Sequence, residues 1–188
     1  SIKTDLGIFP LARTKFRGGL FYEICADFIG LDCGKFMGLA SYGKSNTEFI
    51  DLVSIKFGNQ INEIRTREFI DLYQTFFSVD ILSKSHDLLS THIVNYAANV
   101  QSIFELCFLK TITGLNNVVM NNLDNQIEGL ILSGGSALNC PSNTTIAEKI
   151  GIEKVFVEPS CNDEGLAFGA AMDTEDMINK KLSNNDIR

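Results

Sequence analysis

The chain has 188 residues, 45% hydrophobic and 21% charged, which is the length and composition of an ordinary globular domain. The net charge is −7 and the basic residues are scattered, so we predict no nucleic-acid partner. No apolar run approaches the roughly 20 residues that span a bilayer, so we predict no membrane segment. Five widely spaced cysteines without a CxxC pair favour a reducing, cytoplasmic compartment.

The first 114 residues are predicted to be mainly helical. Residues 1–17 have the pattern of an entry strand and loop, and residues 60–64 alternate like a short strand. Apolar side chains recur at helical spacing in five segments, Gly18–Leu31, Lys35–Tyr42, Phe49–Ile55, Phe69–Phe76 and 86–114. The last of these is predicted to end at Gly114, and Asn116–Glu128 is then a polar connection at the surface.

The last third of the chain alternates between strand and helix patterns. Two short apolar strands are predicted, each followed by a loop and a helix; their residues are 129–132 and 155–157. The first helix spans residues 137–150 and either starts late or carries Pro141 in its first turn. The second starts at Gly165. This order predicts an α/β fold with neighbouring parallel strands or a related mixed sheet, and residues 179–188 are predicted to form a polar tail beyond the domain of residues 1–178.

A glycine turn follows the first of these strands, at Leu132-Ser133-Gly134-Gly135-Ser136-Ala137-Leu138-Asn139-Cys140. Such a turn brings backbone N–H groups together at the start of a helix, where a phosphate or a sugar can approach closely. Asn139 is placed to hydrogen-bond a base, a ribose or a phosphate. The residues alone leave open whether the turn binds a ligand or is only a tight turn that needs a positive φ.

The second strand leads into Pro159-Ser160-Cys161-Asn162-Asp163-Glu164-Gly165. Asp163 could bind a metal there, since ligand sites in open α/β sheets gather at the carboxyl ends of the strands. Spacing alone favours the other interpretation, in which Asp163 caps the following helix.

A third motif, Gly34-Lys35-Phe36-Met37-Gly38-Leu39-Ala40-Ser41-Tyr42-Gly43, combines three glycines with one lysine. The glycines indicate close backbone packing. Lys35 could meet a phosphate, although a solvated lysine beside a packed turn is the simpler interpretation of this segment alone. His86 and His92 are six residues apart, so on a helix they face different sides and do not form a two-histidine metal motif.

These motifs, in this order, resemble the carbamoyltransferases of the nodulation and antibiotic-tailoring type. The resemblance covers residues 16–173. It rests on Gly18-Gly19-Leu20-Phe21-Tyr22, the Lys35–Gly43 run, the glycine turn and Phe156-Val157-Glu158-Pro159 through Asp163–Ala171.

The resemblance implies the second half of a domain like those of sugar kinases, actin and chaperone ATPases, a ribonuclease H-like fold with a mixed sheet and helices. It also implies a reaction in which carbamoyl phosphate and ATP give a carbamoyl adenylate, whose carbamoyl group passes to a hydroxyl of a sugar or natural product.

The resemblance further implies roles for particular residues. Gly134, Gly135 and Asn139 would contact the nucleotide together with Ser136, and Asp163 would bind a divalent metal, iron or magnesium. This reverses the preference for a cap at Asp163. We also infer, from its charge and position, that Lys35 faces the phosphates.

The family's His-x-x-x-His metal pair and its C-terminal domain are not found in these 188 residues. We therefore expect the remaining metal ligands, the missing N-terminal half and the C-terminal domain to lie outside this chain, and the chain to be inactive alone. Two alternatives remain: a non-catalytic nucleotide-binding module, and a sugar or acetate kinase of the same superfamily.

Overall fold

A computed structural model describes residues 2–4, 7–9, 12–57, 65–81, 87–122, 129–151 and 154–185. The elements in chain order are β1 (Ile2–Thr4), β2 (Gly7–Phe9), α1 (Gly18–Asp27), α2 (Cys33–Ala40), α3 (Thr47–Phe57), α4 (Thr66–Phe77), α5 (Thr91–Asn122), β3 (Leu130–Leu132), a 3₁₀ turn (Gly135–Leu138), α6 (Cys140–Ile150), β4 (Val155–Val157) and α7 (Gly165–Asn185). The strand predicted over residues 60–64, and His86, lie outside the described residues.

The long helix α5 is the centre of the core. It packs against α1, α2, α3 and α6, and its buried face includes Tyr96, Val100, Ile103 and Phe104. These side chains occupy positions i, i+4, i+7 and i+8, which places them on one stripe of the helix.

The predicted bounds of this helix were wrong. It begins at Thr91 rather than at residue 86, and it continues through Gly114 to Asn122. A glycine inside a helix costs only about 1 kcal/mol relative to alanine, so a single glycine does not have to end a helix. Residues 116–122, predicted as a connection, therefore form the last turns of α5.

Within the described ranges, α5 is the one helix that is long and apolar enough to cross a membrane, judged by length and composition. A helix at the core of a globular protein passes the same test. Helix α5 packs against four other helices, and 28% of the residues in its most apolar window are buried.

The two strands of the last third pair in parallel, as predicted. Leu130 lies opposite Val155 and Leu132 opposite Val157. The arrangement is a helix-rich fold with a small parallel sheet, compatible with the α/β class. Strands β1 and β2 form a separate antiparallel pair.

The remaining helix predictions concern the start of α6, the helices α3 and α4, and the extent of α7. Pro141 lies in the first turn of α6, where its missing N–H has no intrahelical acceptor to lose. The two helices predicted between residues 49 and 76 are α3 and α4. Helix α7 starts at Gly165 as expected and runs to Asn185, so residues 179–185, predicted as part of a polar tail, continue this helix.

The predicted close packing of the third motif occurs at Gly43. A Cβ on this residue would collide with the backbone carbonyl of Val94 on α5. By contrast, a Cβ on Gly38, inside α2, would meet nothing within 4 Å. The loop after α2 can approach α5 only because residue 43 has no side chain.

We predict opposite effects of alanine at these two glycines. Gly43→Ala should lower the free energy of unfolding by about 1–3 kcal/mol, the usual cost of overpacking. Gly38→Ala should raise it by up to about 1 kcal/mol, because alanine favours the helix. Urea unfolding of the two variants measures both, and equal destabilisation would contradict the packing at Gly43.

Candidate functional site

The glycine turn connects β3 to α6 and is tied to the loop that follows β4. Gly134 has φ +94°, a conformation that favours glycine, and this fits both interpretations of the turn, as a ligand site and as a tight turn. The N–H of Gly134 donates to the carbonyl of Cys161 at 2.6 Å. Residues Gly135–Leu138 then form one 3₁₀ turn, whose first N–H groups lack intrahelical acceptors.

A cavity of about 640 Å³ lies beside this turn. Its lining joins segments that are far apart in sequence: the first turns of α1 and α2, the middle of α5, and the glycine turn. The lining residues are Gly19, Tyr22, Glu23, Cys33, Gly34, Met37, Phe104, Gly135, Ser136, Leu138, Asn139 and Asn162. We call it the larger cavity. It brings together Gly135, Ser136 and Asn139 from the predicted site.

A second cavity of about 460 Å³ lies between the glycine turn and the start of α7. Gly134 and Asp163 line it, with Glu158 and Cys161. Gly135 and Asn162 line both this smaller cavity and the larger one. The two cavities therefore adjoin at the glycine turn.

A buried hydrogen-bond network supports the wall of the larger cavity. Gln101 of α5 and Asn139 pair through their amides: Gln101 Nε2 donates to Asn139 Oδ1 at 2.8 Å, and Asn139 Nδ2 donates to Gln101 Oε1 at 3.0 Å. The hydroxyl of Tyr22 donates to Gln101 Oε1 at 2.8 Å. Gln101 Nε2 also donates to Glu105, whose other oxygen accepts from Thr145.

Asn139 thus has a structural role that sequence reasoning missed. Its Oδ1 also accepts from the backbone N–H and the hydroxyl of Ser142, so it caps α6. The side chain is 7% exposed. No local motif could reveal its partner Gln101, which lies 38 residues away in sequence.

Asp163 does not act as the cap that spacing alone suggested. Asn162 Oδ1 accepts from the N–H of Glu164 at 3.3 Å, at the start of α7. The Asp163 carboxylate is exposed, lines the smaller cavity, and has no hydrogen-bond or ion-pair partner in the part of the chain that the structure describes. It is therefore available to a ligand.

Lys35 lies in the first turn of α2, next to Gly34 of the larger cavity. Its ammonium is 2.7 Å from a carboxylate oxygen of Asp32, whose other oxygen accepts from the backbone N–H of Lys35. This hydrogen bonding lowers the pKa of Asp32 and raises the pKa of Lys35. Both side chains are exposed, and Lys35 is not among the residues that line either cavity.

The charged residues that line the two cavities are acidic: Glu23 in the larger, Glu158 and Asp163 in the smaller. Burial raises the pKa of the Tyr22 hydroxyl, which therefore stays protonated as a hydrogen-bond donor. Burial and the nearby carboxylates of Glu23 and Asp27 also raise the pKa of the Cys33 thiol. A phosphate in either cavity would need a cation from elsewhere.

A complete metal site is not formed within the described ranges, since no group of three His, Cys, Asp or Glu side chains is close enough to hold an ion. Asp163 offers one carboxylate of the kind that hard divalent metals prefer. A metal bound there needs further ligands from outside the described residues.

Comparison with known families decides the relationship. Residues 13–172 match the carbamoyltransferase N-terminus family. The chain belongs to this family. In this carbamoyltransferase N-terminal region, the match includes the glycine turn, the Lys35–Gly43 run and Asp163.

Relatives come from an archaeon and a cyanobacterium. An uncharacterized protein of Methanocaldococcus jannaschii is 30% identical over 168 residues, which are 88% of this chain and 26% of that protein. A second from the same organism is 29% identical, over 82% of this chain and 29% of its own length. An uncharacterized protein of Synechocystis is 26% identical, over 82% of this chain and 26% of its own length. The chain thus spans about a quarter of the length of these relatives.

We predict that the Gln101 network stabilises the carbamoyltransferase region. Gln101→Leu should lower the free energy of unfolding by about 2–3 kcal/mol, because Asn139 and Tyr22 lose partners while buried. Tyr22→Phe removes one donor and should cost about 1 kcal/mol.

Urea unfolding tests both variants, with Gln74→Leu as the control. Gln74 makes an exposed hydrogen bond to Asp80, so its loss should stay within about 0.5 kcal/mol of the parent. Parent-like stability of Gln101→Leu would show that the network does not support the fold.

Proposed function

We propose that the two adjoining cavities form one wall of the nucleotide site of an O-carbamoyltransferase. The observation that carries the proposal is their junction at Gly135 and Asn162, in a chain of the carbamoyltransferase N-terminal family. The larger cavity would hold the adenosine of ATP, and the smaller one its phosphates.

The lining of each cavity supports this division. Tyr22, Met37 and Phe104 give the larger cavity apolar and aromatic surface suited to a flat base. The Glu23 carboxylate is an acceptor for ribose hydroxyls. In the smaller cavity the glycine turn exposes backbone N–H groups, which bind phosphate oxygens well. Ser136 and Asn139 lie between the two parts.

Because the charged lining residues are acidic, the phosphates of a bound nucleotide would have to be neutralised by a cation. We propose that Asp163 supplies one ligand to a divalent metal, iron or magnesium, and that its other ligands lie outside this chain. A metal in this place would polarise the carbamoyl group or balance phosphate charge. Lys35 would reach the phosphates only if its ion pair with Asp32 opened.

The proposed reaction transfers a carbamoyl group to a hydroxyl of a sugar or natural product. The acceptor oxygen would bond to the carbamoyl carbon of a carbamoyl adenylate, made from carbamoyl phosphate and ATP. The bond from that carbon to the phosphate oxygen would break, and AMP would leave with the electron pair as the hydroxyl proton is lost. This chain would bind and orient the adenylate in half of an actin-like domain, completed by an N-terminal half and a C-terminal domain.

The alternative is a non-catalytic module that binds nucleotide and keeps the fold. The transferase needs further metal ligands from outside the described residues, whereas this module needs no metal. The two functions share the nucleotide cavity and differ in the metal. Nucleotide binding and metal binding are therefore tested separately.

We predict that ATP protects Cys33 from alkylation in the intact protein. Cys33 lines the larger cavity and is exposed, whereas Cys140 is exposed but lines neither cavity. At ATP concentrations well above Kd, iodoacetamide should modify Cys33 at least about tenfold more slowly, since only the free protein reacts. Peptide mass spectrometry measures each rate.

Other cysteines provide the controls. Cys140 should react at the same rate with and without ATP. Cys25 and Cys107 should stay unmodified in either case at pH 8, because burial raises the pKa of each thiol to about 12 and leaves almost no thiolate. Equal alkylation of Cys33 in both conditions would refute a nucleotide in the larger cavity.

We predict that Asp163→Ala lowers the metal content of the intact protein at least about tenfold at limiting metal, because it removes a ligand. Asp173→Ala is the matched control, since Asp173 is an exposed carboxylate further along α7. Elemental analysis after gel filtration measures both. Unchanged metal content in Asp163→Ala, with Cys33 still protected by ATP, would favour the non-catalytic module.

A further inference from the structure

A separate polar cavity of about 300 Å³ lies near the start of α5. Asn99 lines this polar cavity, Phe104 of the same helix lines the larger cavity, and the two linings share no residue. Five helical positions separate Asn99 from Phe104, which is about 7.5 Å along the axis. The polar cavity is therefore distinct from the proposed nucleotide site.

The loop that forms one side of the polar cavity is fixed to α5. Gly43 packs directly on the backbone of Val94. The N–H of Lys44 donates to Asn95 Oδ1 at 2.8 Å, and the N–H of Asn46 donates to Asn99 Oδ1 at 2.9 Å. These three contacts hold the loop against α5, so the side chains of Lys44 and Ser45 start from fixed backbone positions.

The polar side chains around this cavity are mainly donors without partners. The Lys44 ammonium, the Ser45 hydroxyl and the His92 imidazole all line it, and none has a hydrogen-bond or ion-pair partner in the described segments. The Nδ2 of Asn95 is also unused there, since the hydrogen bonds of Asn95 run through its Oδ1 and its backbone carbonyl. The described lining contains no Asp or Glu. A set of donors without a carboxylate suits an anion.

The N-termini of two helices near the polar cavity also favour an anion. His92 and Asn95 lie in the first two turns of the 32-residue helix α5, and Asn46 immediately precedes α3. Helix N-termini carry partial positive charge. Phe77 and Val79 add apolar surface to the lining, together with the ring of Tyr73. The ligand therefore combines an anionic group with a small apolar or neutral part.

We propose that this cavity binds a small oxyanion, a phosphate or carboxylate group carried by a small molecule, with Lys44 as its charged contact. The proposal is independent of the proposed carbamoyl transfer. The proposed anion contact, Lys44, directly follows the third motif, which ends at Gly43. The lysine inside that motif, Lys35, is paired with Asp32.

The test is binding of inorganic phosphate, pyrophosphate and acetate to the intact protein, measured by calorimetry and by the ring ¹H–¹⁵N signals of His92. We expect saturable binding of at least one of these anions with a shift of the His92 signals. Lys44→Met and His92→Gln change exposed side chains and should each weaken that binding, by about tenfold for Lys44→Met. Tighter binding of phosphate or pyrophosphate would indicate a phosphate ligand, and tighter binding of acetate a carboxylate ligand.

Two controls separate this site from others. Lys149→Met removes an exposed lysine from α6 and should leave anion binding unchanged. Protection of Cys33 by ATP should persist in Lys44→Met, because it reports on the larger cavity. Equal anion binding by the parent and Lys44→Met, or no saturable binding of any of the three anions, would overturn the proposal.

Discussion

The paired amides of Gln101 and Asn139 fix the glycine turn against the central helix. Gln101 belongs to α5, on which the other core helices pack, and Asn139 ends the 3₁₀ turn and caps α6. Through this pair, the turn that follows a short strand is held against the helix at the centre of the core. Tyr22 joins the same network from α1, so the elements that line the larger cavity keep a common geometry. The position of the proposed nucleotide site follows from this one buried contact.

Local patterns in the sequence predicted the elements well where spacing decides structure. The helices that begin near Gly18 and Gly165, and the parallel strands β3 and β4, are as expected because periodicity and glycine boundaries are local signals. The predicted end of α5 was wrong because a single glycine costs only about 1 kcal/mol inside a helix and does not have to end it. Propensity describes a residue alone, whereas the helix end depends on its neighbours in space.

The candidate site was predicted only in part, for the same reason. The glycine turn and Asp163 come to two cavities that adjoin, as their place after parallel strands predicts. The amide pair of Gln101 and Asn139 joins residues 38 positions apart, which no local motif records. Single-sequence spacing also could not tell that the Asn162 side chain would accept from the N–H of Glu164 while the Asp163 carboxylate stays exposed, or that Lys35 would pair with Asp32. These outcomes depend on side-chain geometry.

The charges of the site explain why it is incomplete by itself. Its charged lining groups are acidic, whereas the proposed ligand carries phosphates. The chain spans about a quarter of its relatives' length, and the proposed ligand would need positive charge from a metal or from segments outside this chain. The polar cavity near α5 differs, because Lys44 and His92 line it without a carboxylate within the described segments.

The most direct measurement is a crystal structure of the intact protein with a non-hydrolysable ATP analogue. The account predicts the base against Tyr22, Met37 and Phe104, the ribose near Glu23, and the phosphates over Gly134 and Gly135. An analogue bound elsewhere, with the larger cavity filled only by solvent, would contradict it.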